Sequence, residues 1–170
     1  MMNKSYQKII TFFKEKLVQL PSELLEGFSI PSETRDLLEN IGLPENLDVL
    51  LLNFYSNNIE ELMFNNNKYI VIGDDYGTKI CIEQKSGEVY SICTENKYTV
   101  RFINSSIQCF LQFLITYIET KPALIGVDDD EAVVIIDKLR KVFLSVDEKS
   151  LGNDENWWSV VLEQHAEGLI

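Results

Sequence analysis

Residues Lys68 to Asn104 read KYIVIGDDYGTKICIEQKSGEVYSICTENKYTVRFIN, and this stretch decides the fold. Tyr69-Ile70-Val71-Ile72 and Thr78-Lys79-Ile80-Cys81-Ile82 are rich in strand formers. Between them lies Gly73-Asp74-Asp75-Tyr76-Gly77, a turn with glycine available wherever a positive φ is required, so the pattern predicts a hairpin. Gln84-Lys85-Ser86-Gly87 then predicts a type I turn closed by a left-handed glycine, ahead of a third strand at Glu88-Val89-Tyr90-Ser91-Ile92. After the polar loop Thr94-Glu95-Asn96-Lys97, the segment Tyr98-Thr99-Val100-Arg101-Phe102-Ile103 alternates as a strand with one wet face does. Four antiparallel strands result, a β-meander.

Directly after the meander the chain predicts a helix. Ser105 is placed to accept from the backbone N–H of Gln108 while the Gln108 side chain reaches back, a capping box. Ile107, Phe110, Leu111, Leu114 and Ile118 follow as an apolar stripe, and Pro122 ends it. Asp128-Asp129-Asp130-Glu131 puts acids at the positive end of a further helix, with Val133, Ile136, Leu139 and Phe143 inward and Lys138, Arg140 and Lys141 towards its negative end. Asn153-Asp154-Glu155 opens a last helix bearing Trp157, Trp158, Val161 and Leu162. Upstream, Tyr6, Ile9, Ile10, Phe13, Leu17 and Leu20 recur at helical spacing up to Pro21, with Lys4, Lys8, Lys14 and Lys16 on the exposed side. Ile30-Pro31-Ser32-Glu33 marks a second helix, capped by Ser32 and ending near Gly42-Leu43-Pro44. Val49 to Tyr55 reads as a short strand, although its leucines also suit a buried helical turn. The sum is an α+β fold: a central antiparallel-rich sheet wrapped by helices, in one domain over residues 1–170 whose part from 122 to 170 is helical.

Charge is the strongest compositional signal, with 27 acidic against 15 basic residues and a formal net of -12. Residues 122–170 hold 11 of the acids and only 4 of the bases, so the negative potential is expected to concentrate in that part. Such a surface repels phosphate backbones and steers a basic partner; it predicts no nucleic-acid partner. No apolar run approaches bilayer-spanning length, and Met1-Met2-Asn3-Lys4-Ser5-Tyr6 lacks the apolar block of a signal peptide, which predicts a cytoplasmic protein without a membrane partner. Cys81, Cys93 and Cys109 show no C-x-x-C spacing and are expected to be reduced.

Reactive constellations are missing from the pattern. The lone histidine, His165, lies five residues from the end, where an exposed helical position is expected and Ser/His/Asp or Cys/His catalysis has no support. One histidine and scattered cysteines make no zinc site, and Asp128-Asp129-Asp130 lacks the alternating spacing of a calcium loop. Gly73-Asp74-Asp75-Tyr76-Gly77 has no Lys-Ser/Thr pair for phosphate, and adjacent aspartates do not converge as an acid and base pair. The residues thus predict a binder without cofactor, metal or catalytic residues. Exposure and charge single out Asp74, Asp75 and Tyr76 at the meander tip, and Asp128, Asp129 and Asp130 at a helix start, as partner-binding residues. Trp157 is a further candidate as an aromatic anchor. Adjacent helix positions point about 100° apart, so at least one of Trp157 and Trp158 is expected in the core.

The order of pieces also carries a resemblance. Ile30-Pro31-Ser32-Glu33-Thr34-Arg35-Asp36-Leu37-Leu38 leads to Gly42-Leu43-Pro44, then come Tyr69-Ile70-Val71-Ile72-Gly73-Asp74-Asp75 and Ser86-Gly87-Glu88-Val89. Phe102-Ile103-Asn104-Ser105-Ser106-Ile107 with Phe110-Leu111 completes the series. It resembles the SUKH superfamily over about residues 28–120, and more narrowly its bacterial immunity proteins, whose distant relatives include the yeast cell-wall-assembly regulators of the Smi/Knr type. The resemblance implies a helix-wrapped sheet, no catalytic residues, and neutralisation of a cognate polymorphic toxin by binding it. An acidic inhibitor suits a basic, nucleic-acid-targeting toxin. A scaffold or regulator of an endogenous protein is the second reading, and a small enzyme the third.

Overall fold

The computed structural model describes residues 3–95 and 99–170. The meander is present as β5 (Asn67–Asp74), β6 (Lys79–Glu83), β7 (Val89–Cys93) and β8 (Thr99–Asn104), each antiparallel to the next. Tyr98, Asn96 and Lys97, expected at the start of the last strand and in the loop before it, lie outside the described residues. The turn at 84–87 has the predicted form: Gly87 is left-handed at φ 78°, and the Glu83 and Gly87 N–H groups donate to Glu88 and Glu83 carbonyls at 2.8 and 2.9 Å.

The turn at the tip differs from expectation. Its positive φ falls on Tyr76, at 72°, rather than on either glycine. Asp74 and Asp75 supply the reason, because their Oδ1 atoms accept the backbone N–H groups of Tyr76 and Thr78 at 3.1 and 2.8 Å and close the turn from within. Gly73 serves close approach instead, since a Cβ there would sit 2.4 Å from the Asn53 carbonyl oxygen.

That oxygen belongs to β3 (Asn53–Phe54), which pairs with the end of β5, while β4 (Glu60–Phe64) pairs with its beginning. Only the last part of the Val49–Tyr55 segment is therefore strand: Leu50 and Leu51 are both left-handed, and the Leu52 N–H donates to the Val49 carbonyl in a turn. β4 was not foreseen. Its hairpin turns on Asn65 and Asn66 at φ 48° and 63°, two consecutive left-handed residues of the kind that Asn tolerates.

Among the helices, α1 spans Lys4–Phe13 and stops well short of Pro21. Leu17-Val18 leaves the helical period to form β1, which pairs with β2 (Leu43–Pro44), a gain in backbone hydrogen bonding that outweighs the amphipathic spacing. α2 (Ser22–Leu25) is a single turn that the sequence reading missed. α3 (Ser32–Asp36) runs on into a π turn over Leu37–Ile41; Pro31 holds the cap position, and Ser32 makes no capping bond. Gly42 closes this turn at φ 92°, against Val18 of β1, where an added Cβ would lie 2.4 Å from backbone carbon and oxygen. Gly42→Ala is accordingly expected to cost about 2–3 kcal/mol, read as a lowered urea midpoint at unchanged m.

α4 (Ile107–Thr120), α5 (Asp129–Val146) and α6 (Trp157–Ala166) complete the fold. The main core joins Ile70, Ile72, Ile80 and Ile82 on one sheet face to Phe110, Leu114, Ile136, Phe143, Trp158 and Leu162 from these helices. Each such side chain contributes about 1.5–3 kcal/mol before conformational entropy is counted. The other face carries a smaller cluster of Tyr69, Val71, Cys81 and Ile92. Val133, expected inward on α5, is 44% exposed, because the buried stripe of that helix runs through Ile136, Leu139 and Phe143 only. Among the described residues no helix is long and apolar enough to cross a membrane.

Candidate binding cleft

The junction of β8 and α4 departs from the capping box by one residue. Ser106 is the cap, its Oγ accepting the Cys109 N–H at 3.1 Å. Ser105 is taken by Asp147 at the end of α5, whose carboxylate accepts the Ser105 N–H at 2.7 Å and hydroxyl at 2.8 Å, and the Asn104 side-chain amide at 3.0 Å. The Asn104 carbonyl in turn accepts the Trp158 indole N–H at 2.9 Å. This buried chain ties α4, α5 and α6 to the sheet edge and fixes the face that α6 presents.

That face forms one wall of a cleft of about 550 Å³. The loop 47–51, the β5–β6 tip and Ser91 line it as well, and Arg101, Tyr117 and Lys121 with Gln164 and His165 supply polar groups. Two of the sequence candidates meet here. Asp75 accepts from the Thr78 hydroxyl at 2.8 Å and from the Trp157 indole N–H at 3.1 Å. Trp157 is only 7% exposed and Trp158 fully buried, so both indoles pack inward. Asp74 turns away to accept the Tyr55 hydroxyl at 2.7 Å. Burial pulls the Asp74 carboxyl upward, but its bonds from Tyr55, the Tyr76 backbone and Asn53 outweigh this and hold it below the ordinary carboxylate range. The two aspartates thus have separate partners. Tyr76 stands 89% exposed at the tip.

Asp128, Asp129 and Asp130 are on another element and do not line the cleft. Asp128 is the cap of α5, accepting the Glu131 N–H at 2.9 Å, and Asp129 and Asp130 are exposed in its first turn.

His165 corrects the expectation of an exposed, fraying residue: it is 7% exposed, with Nε2 2.5 Å from the Tyr117 hydroxyl. Burial pushes the Tyr117 hydroxyl up to about 12, so it keeps its proton beside the imidazole. Burial, and then the nearby charge of Lys121, lower the His165 pKa, partly offset by a hydrogen bond with the Ile170 backbone. A lowered folded value means that the unfolded chain takes up the proton first as pH falls. The contribution is full above the unfolded pKa and is lost as pH falls from there to the folded value. His165→Gln is expected to flatten the slope of unfolding free energy against pH just below the ordinary histidine range, as measured by urea titrations from neutral to mildly acidic pH.

Arg101, Lys121 and the 47–51 loop were not singled out from the sequence, because they come from a strand, a helix end and a turn far apart in the chain. No curated protein and no solved structure matches the chain. The family model of the SUKH-4 immunity proteins matches residues 11–164, a span that takes in α5 and most of α6 as well as the meander. With nine-tenths of its length covered by that match, the chain belongs to the SUKH-4 immunity protein family.

Proposed function

We propose that this chain is a cytoplasmic immunity protein that neutralises a cognate toxin by binding it, with its acidic exterior set against a basic, nucleic-acid-targeting toxin surface. Membership of the SUKH-4 immunity protein family is the observation that carries the reading. The net charge of -12 supports a cationic partner, since complementary fields raise association rates and fix orientation. Binding rather than turnover suits a structure in which Asp74, Asp75, Asp147 and His165 are engaged in turns, junctions and core.

Two surfaces are proposed to meet the toxin. One is the tip, where Asp74 and Asp75 precede the exposed Tyr76 and the Trp157 indole N–H donates to Asp75. The other is the start of α5, with Asp128, Asp129 and Asp130. The test uses the toxin encoded beside this chain. A submicromolar complex is expected at low salt, with association slowing as salt rises. Asp129→Lys combined with Asp130→Lys, which spares the Asp128 cap, is expected to slow association about tenfold, and Tyr76→Ala to speed dissociation by a similar factor. No complex at low salt would remove the reading; unchanged kinetics in both variants would remove these two surfaces.

A further inference from the structure

α5 buries only Ile136, Leu139 and Phe143 of its 18 residues, with Phe143 stacked on Phe113 of α4 and edge-on to Trp158 of α6. Five large apolar side chains on the same helix, Val133, Val134, Val142, Leu144 and Val146, are 40–52% exposed. Single exposed apolar residues are ordinary, whereas five on one helix make a surface that calls for a partner.

Part of this surface is self-complementary. With about 3.6 residues per turn, Val133, Asp137, Arg140 and Leu144 fall in one stripe about 60° wide and about 16 Å long, beside the buried one. Its order is apolar, acidic, basic, apolar, symmetric about the point between Lys138 and Leu139. Neither charge has an internal partner. Arg140 and Lys141 stand three and four positions after Asp137, a spacing that suits a bridge within the helix. Even so, the Asp137 and Arg140 side chains make no hydrogen bond or ion pair among the described residues.

We propose that α5 is a self-association surface, on which a second copy of this chain docks antiparallel about a twofold axis at that midpoint. Val133 of one protomer then meets Leu144 of its partner at each end, and Asp137 meets Arg140 twice in the middle, as an isologous contact requires. A parallel pair would set Asp137 against Asp137 and Arg140 against Arg140, so only the antiparallel arrangement uses both charges. The stripe carries no net charge and does not favour a cationic partner, and its pairing is independent of the toxin reading. One helix pair is small among specific interfaces, so weak association is expected, with a Kd of about 10–100 µM.

The test is sedimentation equilibrium of the full chain alone, from about 5 to about 500 µM, at about 0.15 M salt to screen the repulsion between like-charged copies. The weight-average mass is expected to rise from 19.6 kDa towards twice that value. Asp137→Arg and Arg140→Asp each set like charges face to face, and each is expected to weaken association about tenfold or more. Urea midpoints close to the parent's would show that both variants keep the fold. Combined in one chain, the two substitutions rebuild the pairs with their sense reversed, and association is expected to return to within about threefold of the parent. A mere effect of net charge, on a chain of formal net -12, would instead move the two single variants in opposite directions. A mass fixed at 19.6 kDa across the range overturns the proposal. So does association that the single variants leave unchanged or shift in opposite directions, and so does a loss in both that the combined variant fails to recover.

Discussion

Trp158→Ala is expected to remove about 3–5 kcal/mol of unfolding free energy, a large part of the whole for a domain of this kind. The indole is fully buried where four elements meet. Its ring centre lies 4.9 Å from that of Phe143, 5.5 Å from Phe113, 5.9 Å from Tyr117, 6.2 Å from Phe110 and 4.8 Å from Trp157. Truncation would empty this space and strip the Asn104 carbonyl of its donor as well. Trp158→Phe separates the two effects, because it keeps much of the volume and loses only the N–H, and about 1–3 kcal/mol is expected for it. Urea unfolding followed by circular dichroism checks both. A loss below about 1 kcal/mol for the alanine variant would mean that α6 is not packed as described.

Asp147→Ala is the second large effect, expected at about 3 kcal/mol. The carboxylate is the shared acceptor for the Ser105 N–H, the Ser105 hydroxyl and the Asn104 amide, and Asn104 is wholly buried. Removing it leaves donors that water reaches poorly, and an unmade buried bond costs more than a made one gains. Because Ser105 and Asp147 act as one unit, Ser105→Ala is expected to add little in the Asp147→Ala background, a non-additivity that a double-mutant cycle reads directly. Full additivity would show that the two side chains do not meet.

What the sequence made legible was the local grammar of strands and turns. The meander strands, the left-handed Gly87 turn and the end of α4 just before Pro122 all follow from neighbours within a few residues. Elements settled by distant partners were not legible. Leu17 and Leu20 fit a helical period, yet Leu17-Val18 is claimed by Leu43-Pro44. β4 begins with two glutamates and offers no clean alternation, so its only cue was the asparagine run at its turn. The cap moved from Ser105 to Ser106 because Asp147, 42 residues on, captures Ser105. His165 is buried by Tyr117, 48 residues before it, which no reading of the chain end could supply. The cleft was the least legible of all, being assembled from a loop, a hairpin tip, two strands and two helices. Of the candidates read from the sequence, Asp75 and Trp157 come together there, while Tyr76 stands free at the tip and Asp128, Asp129 and Asp130 open α5 elsewhere.

As proposed, this chain disarms a toxin by occupying it rather than by modifying it. The direct measurement is the activity of the toxin encoded beside this chain, followed while the purified chain is titrated into it at low salt. A linear fall to zero at equimolar chain is expected, with activity recovered when the complex is dissociated. Toxin activity unaffected by excess chain, or abolished by a small fraction of an equivalent, would contradict it.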